Sequence, residues 1–179
     1  MPTVFSHPAP VLALAALLSG RVSTRMLLFG ILCAVLPDAD VIGFRFGISY
    51  ADAFGHRGFS HSLAFALLMG CAGFGVAPLF LRGSRLMGFG LLAVSSHILL
   101  DAMTNGGLGV AAFWPFDQTR YFCDWRPIRV SPFGLKGLLS QRGLSVMLSE
   151  LRWVWAPCLA VIAPALFFGK NPMRAIPRK

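Results

Sequence analysis

Seven side chains able to bind a metal or move a proton stand at the rims of apolar runs in this chain. His7 precedes the first run. Asp38 and Asp40 close the second, in Leu36-Pro37-Asp38-Ala39-Asp40. His56 and His61 open the third, within Gly55-His56-Arg57-Gly58-Phe59-Ser60-His61-Ser62. His97 and Asp101 close the fourth, in Ser96-His97-Ile98-Leu99-Leu100-Asp101. His and Asp four apart on a helix project from one face, and an imidazole–carboxylate pair so spaced can clamp one divalent ion. Two carboxylates beside an apolar run are costly to keep dry without a cation. Asp38 would ligate while Asp40 bridges a second ion, or the reverse. Neutral imidazole is the commonest metal ligand, which favours His61; His56 would be a further ligand or a general acid. Arg57 is shaped to hold a pair of phosphate oxygens or to anchor a headgroup. If Ser60 caps a helix, His61 falls in its first turn.

The elements that must position these groups are membrane helices. Of 179 residues, 56% are hydrophobic and only 13% are charged, and the mean hydropathy is +0.69. That is too apolar for an ordinary soluble domain. The net charge of +9 is scattered between apolar runs. A nucleic-acid binder would gather it into a patch, whereas scattered charge suits anionic headgroups or a phosphate-bearing substrate. Membrane lipids are thus the expected partners, with no nucleic acid. The four cysteines form no Cys-x-x-Cys pair, and Cys33, Cys71 and Cys158 read as buried small hydrophobes.

Residues 59–81, 86–103 and 151–169 approach the length of a span, while 11–19 and 26–36 are shorter and read as a helical hairpin. The expectation is an all-α, polytopic bundle of about five helices in one integral-membrane domain over residues 1–179. Residues 105–150 would form an interfacial loop, with Leu144, Met147, Leu148 and Leu151 on an amphipathic helix lying on the membrane. Residues 170–179 make a basic tail. Alternating helices gather His7, Asp38, Asp40, His56, His61, His97 and Asp101 at one face. The Arg21/Arg25 turn, the Arg82/Arg85 turn and the tail with Lys170, Arg174, Arg178 and Lys179 gather at the other. The basic turns and the tail would be cytoplasmic, so the polar face would be periplasmic or extracellular.

The three strings quoted above, with Thr104 and Gly106 following, resemble the YdjM/YbcI-type bacterial inner-membrane metal-dependent hydrolases. The resemblance covers about residues 7–132. More remotely, the pattern is similar to zinc-dependent phospholipase C, whose ligands run as an N-terminal His, an Asp, a His and a His-x-x-x-Asp pair. That order implies His7, Asp38 or Asp40, His61, His97 and Asp101 as ligands here. Those enzymes carry further His and Glu ligands later in the chain. Here no His follows His97 and Glu150 is the only Glu, so the resemblance implies one or two metals, completed by Asp117 or Asp124. The implied cofactor is Zn2+, with Mn2+ as the alternative. The implied activity is hydrolysis of a phosphoester or other ester at the lipid interface, with His56, Arg57 and Asp40 assisting.

Two other classes are weighed against it. One is a non-catalytic lipid- or partner-binding protein with a structural metal. The other is a metal-free lipid phosphatase with a His nucleophile, which also carries His-x-x-x-Asp but places Ser-Arg five residues before the His. Here eleven residues separate Arg85 from His97.

Overall fold

A computed structural model describes residues 1–18, 20–76, 83–132 and 134–168. The described residues are helical and contain no strand, only two isolated bridges, Thr104 with Ile128 and Val110 with Tyr121. Helix α1 runs Pro8–Leu17 and α2 runs Thr24–Val35, followed directly by a 3-10 stretch over Leu36–Phe46. A 3-10 turn at Phe59–His61 leads into α3, Leu63–Val76, and α4 spans Gly83–Ala102. After a long irregular segment come a single turn, α5 (Leu135–Leu138), then α6 (Gln141–Glu150), a π turn at Leu151–Trp155 and α7 (Ala156–Phe168).

Three of these helices are long and apolar enough to cross a membrane: Thr24–Phe46, Arg85–Ala102 and Gln141–Phe168. This differs from the expected set in three places. Within the expected 59–81 run, the described helix is α3, which counts among the shorter apolar helices, and residues 77–82 lie outside the described residues. The α2 helix is lengthened by its 3-10 continuation, because Pro37 lacks an N–H donor yet fits the first turn of the tighter helix. The segment 144–151 is not a separate surface helix. It continues through the π turn into α7, and only 6% of the most apolar window of that long helix is buried within the protein, as befits a lipid-facing element. The basic tail 170–179 and Arg82 lie outside the described residues.

The core forms where α2, α3 and α4 meet, with α1 packed on α2 on one side and on α7 on the other. Ser23 caps α2 by accepting from Met26 N, and Ser62 caps α3 by accepting from Phe65 N. Ser62 thus takes the capping place expected for Ser60, and His61 precedes α3 instead of standing in its first turn. Cys33 is buried, but Cys71 is exposed and Cys158 half-buried, since both lie on outward faces of their helices. Close approach of α2 to α4 depends on Gly30: a Cβ there would lie 2.3 Å from Phe89 Cε1. Small residues at such crossings let helices approach without a hydrophobic drive between them.

Gly30→Ala should therefore destabilise the bundle by about 1–3 kcal/mol through overpacking. Gly88→Ala, where a Cβ meets nothing within 4 Å, should not. Thermal unfolding of the two variants in detergent checks the contrast; equal midpoints would refute it.

Candidate metal centre

Four chain segments deliver side chains to one buried point. His7 stands immediately before α1, and Asp38 lies in the 3-10 stretch that ends the second span. His61 ends the turn before α3, and His97 and Asp101 occupy the last turns of α4. Asp38, His61, His97 and Asp101 each offer a ligand atom within 4.8 Å of the others. Asp40, His56 and His61 form a second such group sharing His61.

The division between Asp38 and Asp40 follows from helix geometry. A 3-10 helix has three residues per turn, so side chains two apart point in different directions. Asp38 turns inward, with Oδ1 3.6 Å from both His61 Nε2 and His97 Nε2. Asp40 turns to the neighbouring loop. Its Oδ1 accepts from His56 Nδ1 at 2.6 Å, and its Oδ2 accepts from Ser60 Oγ at 2.6 Å and from Arg57 N at 3.1 Å. His61 Nδ1 lies 3.2 Å from the same Oδ2.

Each central imidazole is oriented by its outer nitrogen. His97 Nδ1 donates to Ala34 O at 2.7 Å, and His61 Nδ1 faces Asp40 and Ser60. That puts Nε2 of each ring at the centre, where the two nitrogens approach to 3.0 Å. Two lone pairs do not face each other at that distance unless a proton or a cation joins them. Two ligands on tetrahedral zinc at ordinary Zn–N lengths would stand roughly 3.3 Å apart. His7 stacks on His97 with ring centroids 3.7 Å apart, and its Nε2 lies 3.5 Å from Asp38 and 3.7 Å from Asp101. Both nitrogens of His7 and both oxygens of Asp38 and Asp101 are buried without an aligned hydrogen bond. Buried polar atoms are rarely left so, and a cation would satisfy them together.

Electrostatics point the same way. Burial opposes a charge on His61, yet its bonds to Asp101, Asp38 and Asp40 outweigh that and raise it to about 10. A proton on His61 thus serves as the centre's own counter-ion when no metal is bound. His7 is pushed below its ordinary value, chiefly by burial, which keeps it a neutral donor of a lone pair.

Arg57 is placed differently from the expectation that it grips phosphate. It is fully buried, at a left-handed φ of 65°. Its Nε meets Asp101 Oδ2 at 2.8 Å, while its other nitrogens donate to Gly106 O at 3.0 Å and Thr104 Oγ1 at 2.9 Å. The guanidinium fork is therefore engaged inside the protein, orienting Asp101. The flanking Gly58 permits the turn: a Cβ there would fall 2.2 Å from Ala53 O. Asp117 accepts from Thr119 N and Tyr121 Oη on the surface, and Asp124 is exposed, so neither joins the cluster.

Two positioning residues escaped the sequence reading. Glu150 is buried and accepts from Thr3 N, Thr3 Oγ1 and Ser6 Oγ, clamping the segment that ends in His7. A lone carboxylate in an apolar helix was the available signal. Arg120 donates to His56 O at 3.0 Å and to Asp52 O at 2.9 Å; nothing in its surroundings along the chain marked that pairing.

Arg57→Ala would leave Asp101 buried without its guanidinium. The expected loss is about 3–5 kcal/mol of stability, read by thermal or denaturant unfolding in detergent. A loss below 1 kcal/mol would contradict the orienting role.

The chain matches the family described as YdjM inner membrane protein over residues 1–173. It is 43% identical to inner membrane protein YbcI of Escherichia coli (strain K12) over 160 residues, covering 88% of this chain and 92% of that one. It is 35% identical over 137 residues to inner membrane protein YdjM of the same organism and to that of Shigella flexneri, spanning 62% of their length. No solved structure matches. With membrane-length helices and a family match over residues 1–173, the chain belongs to the YdjM family of inner membrane proteins.

Proposed function

We propose that the protein is a metal-dependent hydrolase of the inner membrane, working with Zn2+, or alternatively Mn2+, on a phosphoester or other ester at the lipid interface. The observation that carries this is the pair of imidazole Nε2 atoms 3.0 Å apart, each oriented from its Nδ1 side, with two unsatisfied carboxylates around them. Asp38, His61, His97 and Asp101 would hold the ion, with His7 closing the shell beside Asp38 and Asp101. Zinc in such a site supplies Lewis acidity and a water whose pKa is lowered towards neutrality.

The chain's own groups then divide the work. Asp40 accepts from His56 Nδ1 and orients its ring, which suits His56 to the role of a general acid. The same carboxylate fixes the ring of His61, so its loss would disturb a ligand without removing one. Arg57 keeps Asp101 in place.

One observation favours the second reading, a structural metal without turnover. His7, His61, His97 and Asp101 are all fully buried, and structural zinc sites are closed where catalytic ones keep a position open to water.

Metal analysis of detergent-purified protein tests both readings. The expected result is one or two zinc or manganese ions per chain, lost in His97→Ala, Asp101→Ala and Asp38→Asn. Asp40→Asn should retain the metal with affinity weakened about 10–100-fold, as for other groups that orient ligands. Turnover of a chromogenic phosphodiester by the wild type, abolished in His56→Ala with metal retained, would support catalysis. Bound metal with no turnover, and ligand variants that only melt earlier, would leave the structural reading. Absence of metal, with His97→Ala turning over substrate unchanged, would end both.

A further inference from the structure

A second polar site stands apart from the metal centre, on the outer face of α6. Asn105, Arg129, Val130, Arg142, Ser145 and Val146 line a cavity of about 200 Å³. That is room for roughly half a dozen waters, and so for one tetrahedral oxyanion. Among the described residues, neither Arg129 nor Arg142 forms an ion pair or a side-chain hydrogen bond, and no carboxylate lines the cavity. The one acid on α6, Glu150, is turned to Thr3 and Ser6 instead. Both arginines are exposed, and two guanidiniums lining one small cavity offer convergent positive charge to an anion.

The remaining groups are arranged to help. Asn105 Oδ1 accepts from Val130 N at 3.0 Å, which fixes the amide and leaves its NH2 edge as a donor. Ser145 Oγ donates to Arg142 O at 2.8 Å and Arg129 N donates to Ser149 Oγ at 3.0 Å, tying both arginine-bearing backbones to α6. Planar, forked, permanently charged donors match the oxygens of a phosphate bidentately.

We infer that Arg129, Arg142 and Asn105 form a binding site for a phosphate group, at the same end of the bundle as the metal centre. Asn105 follows directly on Thr104 and precedes Gly106, the two residues that hold Arg57 against Asp101. The site does not depend on the metal centre being catalytic, because its donors belong to no metal ligand. Its phosphate could belong to a lipid headgroup or to a soluble ion, and the test separates the two.

Calorimetric titration of the purified protein with inorganic phosphate forms one arm. Native mass spectrometry of protein released from nanodiscs of phosphatidylglycerol diluted in phosphatidylcholine forms the other. Binding of either probe is expected, weakened about tenfold or more by R129Q/R142Q, the loss of charged hydrogen bonds. Retention of phosphatidylglycerol alone would assign a headgroup; binding of free phosphate without lipid preference would assign a soluble ion. R126Q removes an exposed arginine stacked on Phe122, away from the cavity, and should bind as the wild type does. If R129Q/R142Q does not fold, R142K serves, keeping the charge and losing the fork, with weakened binding expected. The proposal is overturned if the wild type retains neither probe, if the substituted cavity binds as well as the wild type, or if R126Q weakens binding equally.

Discussion

Charge balance in a dry place governs this structure. Asp38, Asp40 and Asp101 converge where four helix ends meet, with side chains at most 7% exposed. The only permanent cation among them is Arg57. Buried carboxylates without counter-charge would shift, protonate or unfold the site. The protein's own remedy is a proton on His61, drawn there by the three acids. Among these groups the acids remain in excess by one, a deficit that a single divalent cation in place of that proton would close. Charge is thus consistent with the cation that the unpartnered atoms of His7, Asp38 and Asp101 would accept.

Much of the local structure is explained by what it takes to hold those charges. The 3-10 stretch after α2 turns two nearby aspartates to different neighbours, one to the centre and one to the loop carrying His56. The left-handed backbone of Arg57 is an unfavourable conformation for a side chain with a Cβ. It persists because both its backbone groups and its guanidinium are tied down: its N to Asp40, its O to Ala111 N, its side chain to Asp101, Thr104 and Gly106. On the far side, Glu150 holds the turn that presents His7. Trp155 Nε1 donates to Ser6 Oγ at 3.1 Å in the same network, so the π turn after Glu150 lies against the segment it supports.

The convergence of His7, Asp38, His61, His97 and Asp101 was legible because it needs only alternating helices and their rims. The all-helical class was legible from apolar run lengths. Three features were not. Separating Asp38 from Asp40 requires knowing which of the two directions faces the centre: residues two apart on a helix do not share a face, and the sequence does not say which of them points inward. The continuity of α6 into α7 was hidden because Arg142, Ser145 and Ser149 give α6 the pattern of an interfacial helix. In the structure its polar side faces Arg129 and Asn105 rather than a membrane surface alone. The role of Arg57 was misjudged because a guanidinium in a Gly-rich turn looks the same whether it reaches out to a ligand or back to Asp101. Only the fold of residues 104–106 decides between them.

That segment is where the two polar sites touch. Asp101 ends α4 in the metal centre, Thr104 and Gly106 hold the guanidinium that holds Asp101, and Asn105 between them faces the arginine cavity. Asn105 is itself anchored twice, through its N to Ile128 O and its Oδ1 to Val130 N. A group drawn against Arg129 and Arg142 would therefore bear on the same few peptide units that set the direction of Asp101. Asp101 and Arg57 are both fully buried, so the direction of the carboxylate is set by the same short segment that presents Asn105 to the arginine cavity. The two polar sites are thus joined through the contiguous contacts of residues 101–106.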